Sequence, residues 1–462
     1  MSAAISPAAS TSKRPRSDAV NPPQKLDAAE TAVILSGAQR SRKPALSLPK
    51  GTCFSTLSRA MKPGAPSLRR LFVARVGNRR TEFAIFGVVA LLALALTGCR
   101  PQDFSQYPPN YREYAYITNG GSGTVSVVDV VNVRLDRELA VGQNPIAVAV
   151  SPTRNEVYVV NSGAEGAQGS ITVINAENNT VAATIPVQRQ PVSIDLDATG
   201  NLAYVANFGS NTISVLDLKT RREIARIGTG EEPDSVRISP DRKTLAVANS
   251  RSGSVSIIDP ATGNIRAAFD GCPGAGDTVI LPDSTKAFVA CAAGHQVMVI
   301  ALAHSKANPA QPDRLETLMD VGRGPVHLAL KPDGGELFAS NSLSGSMSEI
   351  YASTDEVGGA YPMGDDPVRG LVSSDNAMLY VANFRSQWVT VYSIDDGKRV
   401  ASIHVGDGPA ALALSGDGHL LFVVDTRSGD VSVVRTSSNS LFTLMSTGKD
   451  PNAIAIKAFK LP

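Results

Sequence analysis

Short segments led by Pro recur along the chain. Aligning them on that Pro (Ala275 fills its place in one copy) sets a few polar residues at fixed offsets. Two residues after it stand Ser193, Ser235, Asp277, His327 and Arg369, and four residues after it stand Asp195 and Arg237. Positions three and five, such as Val148, Leu328, Val150 and Leu414, are nearly all apolar, so a period of two separates the two sets. Arg369 and His327 are suited to holding an anionic or polar group. An acid, a His and an Arg together are also suited to activating water and stabilising an oxyanion. A His between an acid and an Arg is a candidate to titrate near neutrality. The plain alternative is a solvated wall on which Asp and Arg balance charge.

Other reactive residues are sparse. The five His are His295, His304, His327, His404 and His419, and no pair has the spacing of metal ligands. His404 alternates with Ile403 and Val405 as on a solvated strand face; His295 and His419 lie in turns, and His304 sits in a surface insertion. There is no HExxH, P-loop, Gly-x-Ser-x-Gly elbow or Cys-x-x-Cys-His haem attachment. No metal or cofactor is expected. Cys272 and Cys291 flank one hairpin, and in an oxidising compartment a disulfide between them is open. Hairpin register, which sets Cys291 across from Asp277, favours two buried free thiols instead.

The elements that must position these residues begin after a leader. The 462 residues carry 39 Gly, 29 Pro and 5% aromatics at 43% hydrophobic content, which favours many short strands over a helical bundle. Residues 1–98 hold 15 Lys/Arg against 4 Asp/Glu, and residues 99–462 hold 29 against 38. The second part is acidic, so its average field repels nucleic acid. Residues 1–60 have no strong period and read as a disordered leader, with Met61 a better start. Arg69, Arg70, Arg75, Arg79 and Arg80 precede the uncharged run 83–96, whose 14 residues suit a signal-peptide core better than a membrane span. The run ends in Leu96-Thr97-Gly98-Cys99, which resembles the bacterial lipobox. That resemblance implies lipidation of Cys99, removal of 1–98, a linker over 99–113 and a protein tethered in the cell envelope, at the outer membrane or the periplasmic face.

From residue 114 onward the chain repeats. "AYITN" ends at Asn119, "VYVVN" at Asn161, "AYVAN" at Asn207, "LAVAN" at Asn249, "AFVAC" at Cys291, "LFASN" at Asn341, "LYVAN" at Asn383 and "LFVVD" at Asp425. The spacings are 42, 46, 42, 42, 50, 42 and 42 residues, and four short strands per repeat suggest propeller blades. The pattern resembles the YVTN β-propeller repeat family over residues 114–462. It predicts an all-β propeller of eight four-stranded blades, with seven as the alternative. The spare strand Pro451–Ile456 would complete the first blade. The resemblance also makes the Pro-led strand innermost. Asp277, His327, Arg369, Ser193 and Ser235 then face a central channel, with Asp195 and Arg237 one tier deeper and Ala147, Ala411 and Ala453 on the opposite arc.

Three functions fit. The first is a lipid-anchored, non-catalytic propeller that binds a small polar or anionic ligand or an envelope protein. The second resembles the propeller lactonases, which open sugar lactones. The third resembles the nitrite reductase propellers, in which a His holds haem, and here His327 is the channel candidate.

Overall fold

A computed structural model describes residues 107–303 and 311–461; Cys99, the apolar run before it and His304 lie outside them. The described residues form 32 strands in eight four-stranded antiparallel sheets. These are eight blades of a β-propeller, and the seven-bladed alternative does not hold. Within blade 2 the order from the axis outward is Pro145–Val150, Glu156–Asn161, Gln168–Asn175 and Thr180–Arg189. Blades 3 to 8 repeat it, with inner strands Pro191–Leu196, Pro233–Ile238, Ala275–Ile280, Pro325–Leu330, Pro367–Val372 and Pro409–Leu414. Blade 1 takes its inner strand from the far end of the chain: Pro451–Lys460 pairs with Tyr111–Asn119, setting Ile454 opposite Ile117. Each inner strand touches the inner strands of both neighbours, so the ring is closed.

The packing follows from the strand sequences. The motif strands are buried on both faces and therefore read as continuous apolar runs. The outer strands, such as Lys398–His404, are largely exposed. The core is divided among eight clusters, each between two adjacent blades. Tyr204, Ile213 and Val215 of blade 3 meet Val236, Leu245 and Ile258 of blade 4, for example. Each such aliphatic side chain contributes roughly 1.5–3 kcal/mol on burial. This radial core leaves the centre open.

The recurrent Asn has a structural task. In several blades its Nδ2 donates to hydroxyls five and seven residues on: Asn119 to Thr124 (3.0 Å) and Ser126 (2.9 Å), and Asn249 to Ser254 (3.3 Å) and Ser256 (3.0 Å). It also lies against the Gly three residues before the Pro-led strand. A Cβ on Gly142 would come within 2.6 Å of Asn161, and one on Gly364 within 2.5 Å of Asn383. In blade 5 that Gly and Asn are Cys272 and Cys291, and they form a disulfide. The expectation of two free thiols is thereby corrected. A register shift after Ala275 sets Cys291 opposite Ala275 rather than Asp277, and Cys272 folds over it from the preceding loop. Closing a loop of this length stabilises by about 3 kcal/mol in the chain-entropy account.

Candidate functional site

The inner strands pair on one side only, so their free edges line a bore. A free edge leaves backbone donors and acceptors without ladder partners. The polar side chains of one blade lean sideways over the free edge of the next. Asp277 Oδ2 accepts the Leu328 N–H at 3.0 Å, and the Gly370 N–H donates to His327 Nδ1 at 3.3 Å. Asp195 Oδ2 accepts the Ile238 N–H at 2.9 Å. Arg237 Nε donates to the Thr278 carbonyl at 3.0 Å, and its Nη2 reaches Asp277 Oδ1 at 3.4 Å. Part of the polar arc is therefore a set of caps for an unpaired strand edge.

These side chains border a cavity of about 670 Å³. Ser193, Ser235, Arg237, Asp277, His327 and Arg369 line one side, and Ala147, Ala411 and Ala453 line the other. Asp195, expected one tier deeper, lies outside the residues that line this cavity. Its carboxylate is turned onto the Ile238 and Leu196 amides, and burial pushes its pKa up against the pull of Arg237. The Ser235 hydroxyl is buried without a hydrogen-bond partner.

The charges are unevenly satisfied. Burial alone would raise Asp277. His327, which is charged only in acid, together with Arg237, the Leu328 N–H and Arg369, outweighs it, and the carboxyl sits below its usual range. His327 does not titrate near neutrality. Burial, then the Arg369 charge, push it down to about 3, against the opposing pull of Asp277. The neutral ring accepts at Nδ1, so its proton is on Nε2, which faces Asp277 Oδ2 at 3.6 Å. The Arg369 guanidinium is different. Burial lowers its pKa, and it makes no hydrogen bond or ion pair with any described residue.

The sequence reading missed Asp234. It stands one residue after Pro233, where the inner strands carry a register shift that turns this position into the bore. It is the one charged residue at that offset in the eight copies, which was the available signal. Gly276, at the same offset in blade 5, leaves room for it: a Cβ there would lie 3.5 Å from Asp234 Oδ2. The remaining described His are elsewhere. His404 meets Trp388 edge-on at 5.0 Å on an outer strand, and His295 and His419 sit in turns. Among the described residues no three His, Cys, Asp or Glu converge as a metal site requires.

Fold and site together define an eight-bladed β-propeller with a bore that is polar on one side. Comparisons with known proteins agree on the fold. Residues 181–305 match a family described as YNCE-like β-propeller, and residues 114–229 match one described as lactonase, 7-bladed β-propeller. No curated protein matches the chain. Similar solved structures include the dihydro-haem d1 dehydrogenase NirN in complex with DHE, at 15% identity and a TM-score of 0.61, covering 78% of each chain. Apo AztD from Citrobacter koseri is similar at 13% identity and a TM-score of 0.58, over 75% of this chain and 98% of that one. A putative 6-phosphogluconolactonase from Bacteroides uniformis is similar at 15% identity and a TM-score of 0.53, over 75% and 99%. At these identities the likeness concerns fold alone.

Proposed function

We propose that the protein is a non-catalytic binding propeller of the YVTN type that holds a small anionic ligand in its bore. A lipid on Cys99 would tether it in the cell envelope. The observation that carries the reading is Arg369. The half-buried guanidinium lines the open bore, burial lowers its pKa, and it holds no carboxylate or carbonyl of a described residue, so it is available to an anionic group. The neutral His327 beside it adds no competing positive charge.

The same geometry weighs against the two alternatives. In a lactonase the His would serve as a base, but Nδ1 of His327 already accepts the Gly370 N–H and Nε2–H faces Asp277. For the same reason His327 does not fit an axial haem ligand, which needs a ring nitrogen free toward the iron.

Calorimetric titration of the full chain with short-chain carboxylates tests the binding reading. Saturable binding is expected, and Arg369→Ala is expected to weaken it about tenfold or more. Unchanged affinity in the variant would remove Arg369 from recognition. The tether is tested by labelling expressing cells with a fatty-acid analogue. The wild type is expected to carry label and to fractionate with membranes, and Cys99→Ser to lose both. Label retained in Cys99→Ser would place the modification elsewhere.

A further inference from the structure

The cavity holds a second unsatisfied charge, of opposite sign to the first. Asp234 of blade 4 is exposed to the bore and makes no hydrogen bond or ion pair with any described residue. Its surroundings are acidic rather than basic: burial, then the nearby Asp277 carboxylate, push its pKa up. Arg237, on the same strand, is turned away toward Asp277 and the Thr278 carbonyl. Arg369 stands three blades further round the ring, in blade 7. Two opposite charges therefore face one cavity without meeting each other, although a single ion pair would have neutralised both.

We infer that the bore recognises a zwitterionic small molecule, an amino-carboxylate whose acid group meets Arg369 and whose ammonium group meets Asp234. The inference rests on the anion-binding reading of Arg369 and adds the second contact and the chemical class. Charge balance supports it. Arg237, Arg369, Asp234 and Asp277 sum to zero, with His327 neutral. A zwitterion fills the cavity without adding net charge, whereas a simple anion or cation leaves one of the two lining charges without a partner. The apolar arc of Ala147, Ala411 and Ala453 is placed to cover the carbon skeleton between the two charged ends. Gly276, next to Asp234 in blade 5, adds no side chain at that end of the cavity. Ionic hydrogen bonds at both ends would fix the orientation of the ligand.

The test is calorimetric titration of the full chain at neutral pH with matched probes: 4-aminobutyrate and 6-aminohexanoate, the unsubstituted carboxylates of the same lengths, and the corresponding alkylamines. In at least one length the amino-carboxylate is expected to bind about tenfold more tightly than its carboxylate. Asp234→Asn is expected to erase that difference while leaving carboxylate binding in place. Arg369→Ala is expected to weaken both. Equal affinity for amino-carboxylate and carboxylate at both lengths, or a difference that survives Asp234→Asn, overturns the zwitterion inference and leaves the anion reading standing. Failure of every carboxylate-bearing probe to bind overturns both. Circular dichroism of the variants separates lost recognition from lost folding.

Discussion

A chain ending at residue 450 is expected not to fold into the ring. The inner strand of blade 1 is the last strand of the protein, and it pairs along the whole of Tyr111–Asn119. Its removal strips Ile454 and Ile456 from the seam between blades 8 and 1, and Phe459 from the seam between blades 1 and 2. It also takes away Lys457, whose Nζ donates to the Ser151 carbonyl at 2.6 Å, and Asn452, which donates to the Pro145 carbonyl at 3.0 Å. Full burial of one such side chain contributes roughly 1.5–3 kcal/mol, so even three partly buried ones are a large share of the small net stability of an ordinary domain. The truncation would further expose the edge of Tyr111–Asn119 to aggregation. Gel filtration and near-ultraviolet dichroism are the measurements. A monomeric truncated chain with native dichroism would mean that the ring does not depend on closure.

That dependence was legible in the sequence, because a Pro-led strand left over at one end matches a missing one at the other. The blade count was legible for the same reason: a fixed spacing needs no knowledge of side-chain contacts. What escaped were features set by one-residue irregularities and by neighbours distant in sequence. Strict alternation says that position one of each inner strand looks away from the bore, yet the register shift after the leading Pro turns Asp234 into it. A similar shift brings Cys291 opposite Ala275 and so allows the disulfide. Those two Cys occupy the places of a Gly and an Asn that touch in other blades, so comparison of repeats, rather than hairpin register, held the signal. The lowered pKa of His327 depends on burial and on Arg369 from the next blade, and a strand pattern encodes neither.

The departure from the motif in blade 8 leads to the second large effect, a gain of stability from Asp425→Asn that grows from acid to neutral pH. Asp425 is fully buried in the place of the recurrent Asn. An Asn donates there, but Asp425 accepts instead, from the Ser432 hydroxyl at 2.6 Å, and its Oδ1 has no partner. Burial raises its pKa to about 7, with the Asp430 charge adding to the rise and the Ser432 hydroxyl opposing it. The sign follows from proton binding. Between the ordinary aspartate value, near 4, and about 7, the folded chain holds a proton that the unfolded chain has released, so stability falls as pH rises through that window and levels off above it. Asparagine cannot ionise, and its amide would donate to Ser432 as Asn249 donates to Ser256. Its advantage is therefore expected to be small near pH 5 and to grow to on the order of 2 kcal/mol by about pH 8. Urea unfolding of both proteins across that range is the measurement, read as the difference between their midpoints at each pH. A gain that does not change with pH would show that the carboxylate never titrates and that hydrogen-bond geometry alone separates the two side chains. No gain at any pH would mean that blade 8 has adapted to the charge.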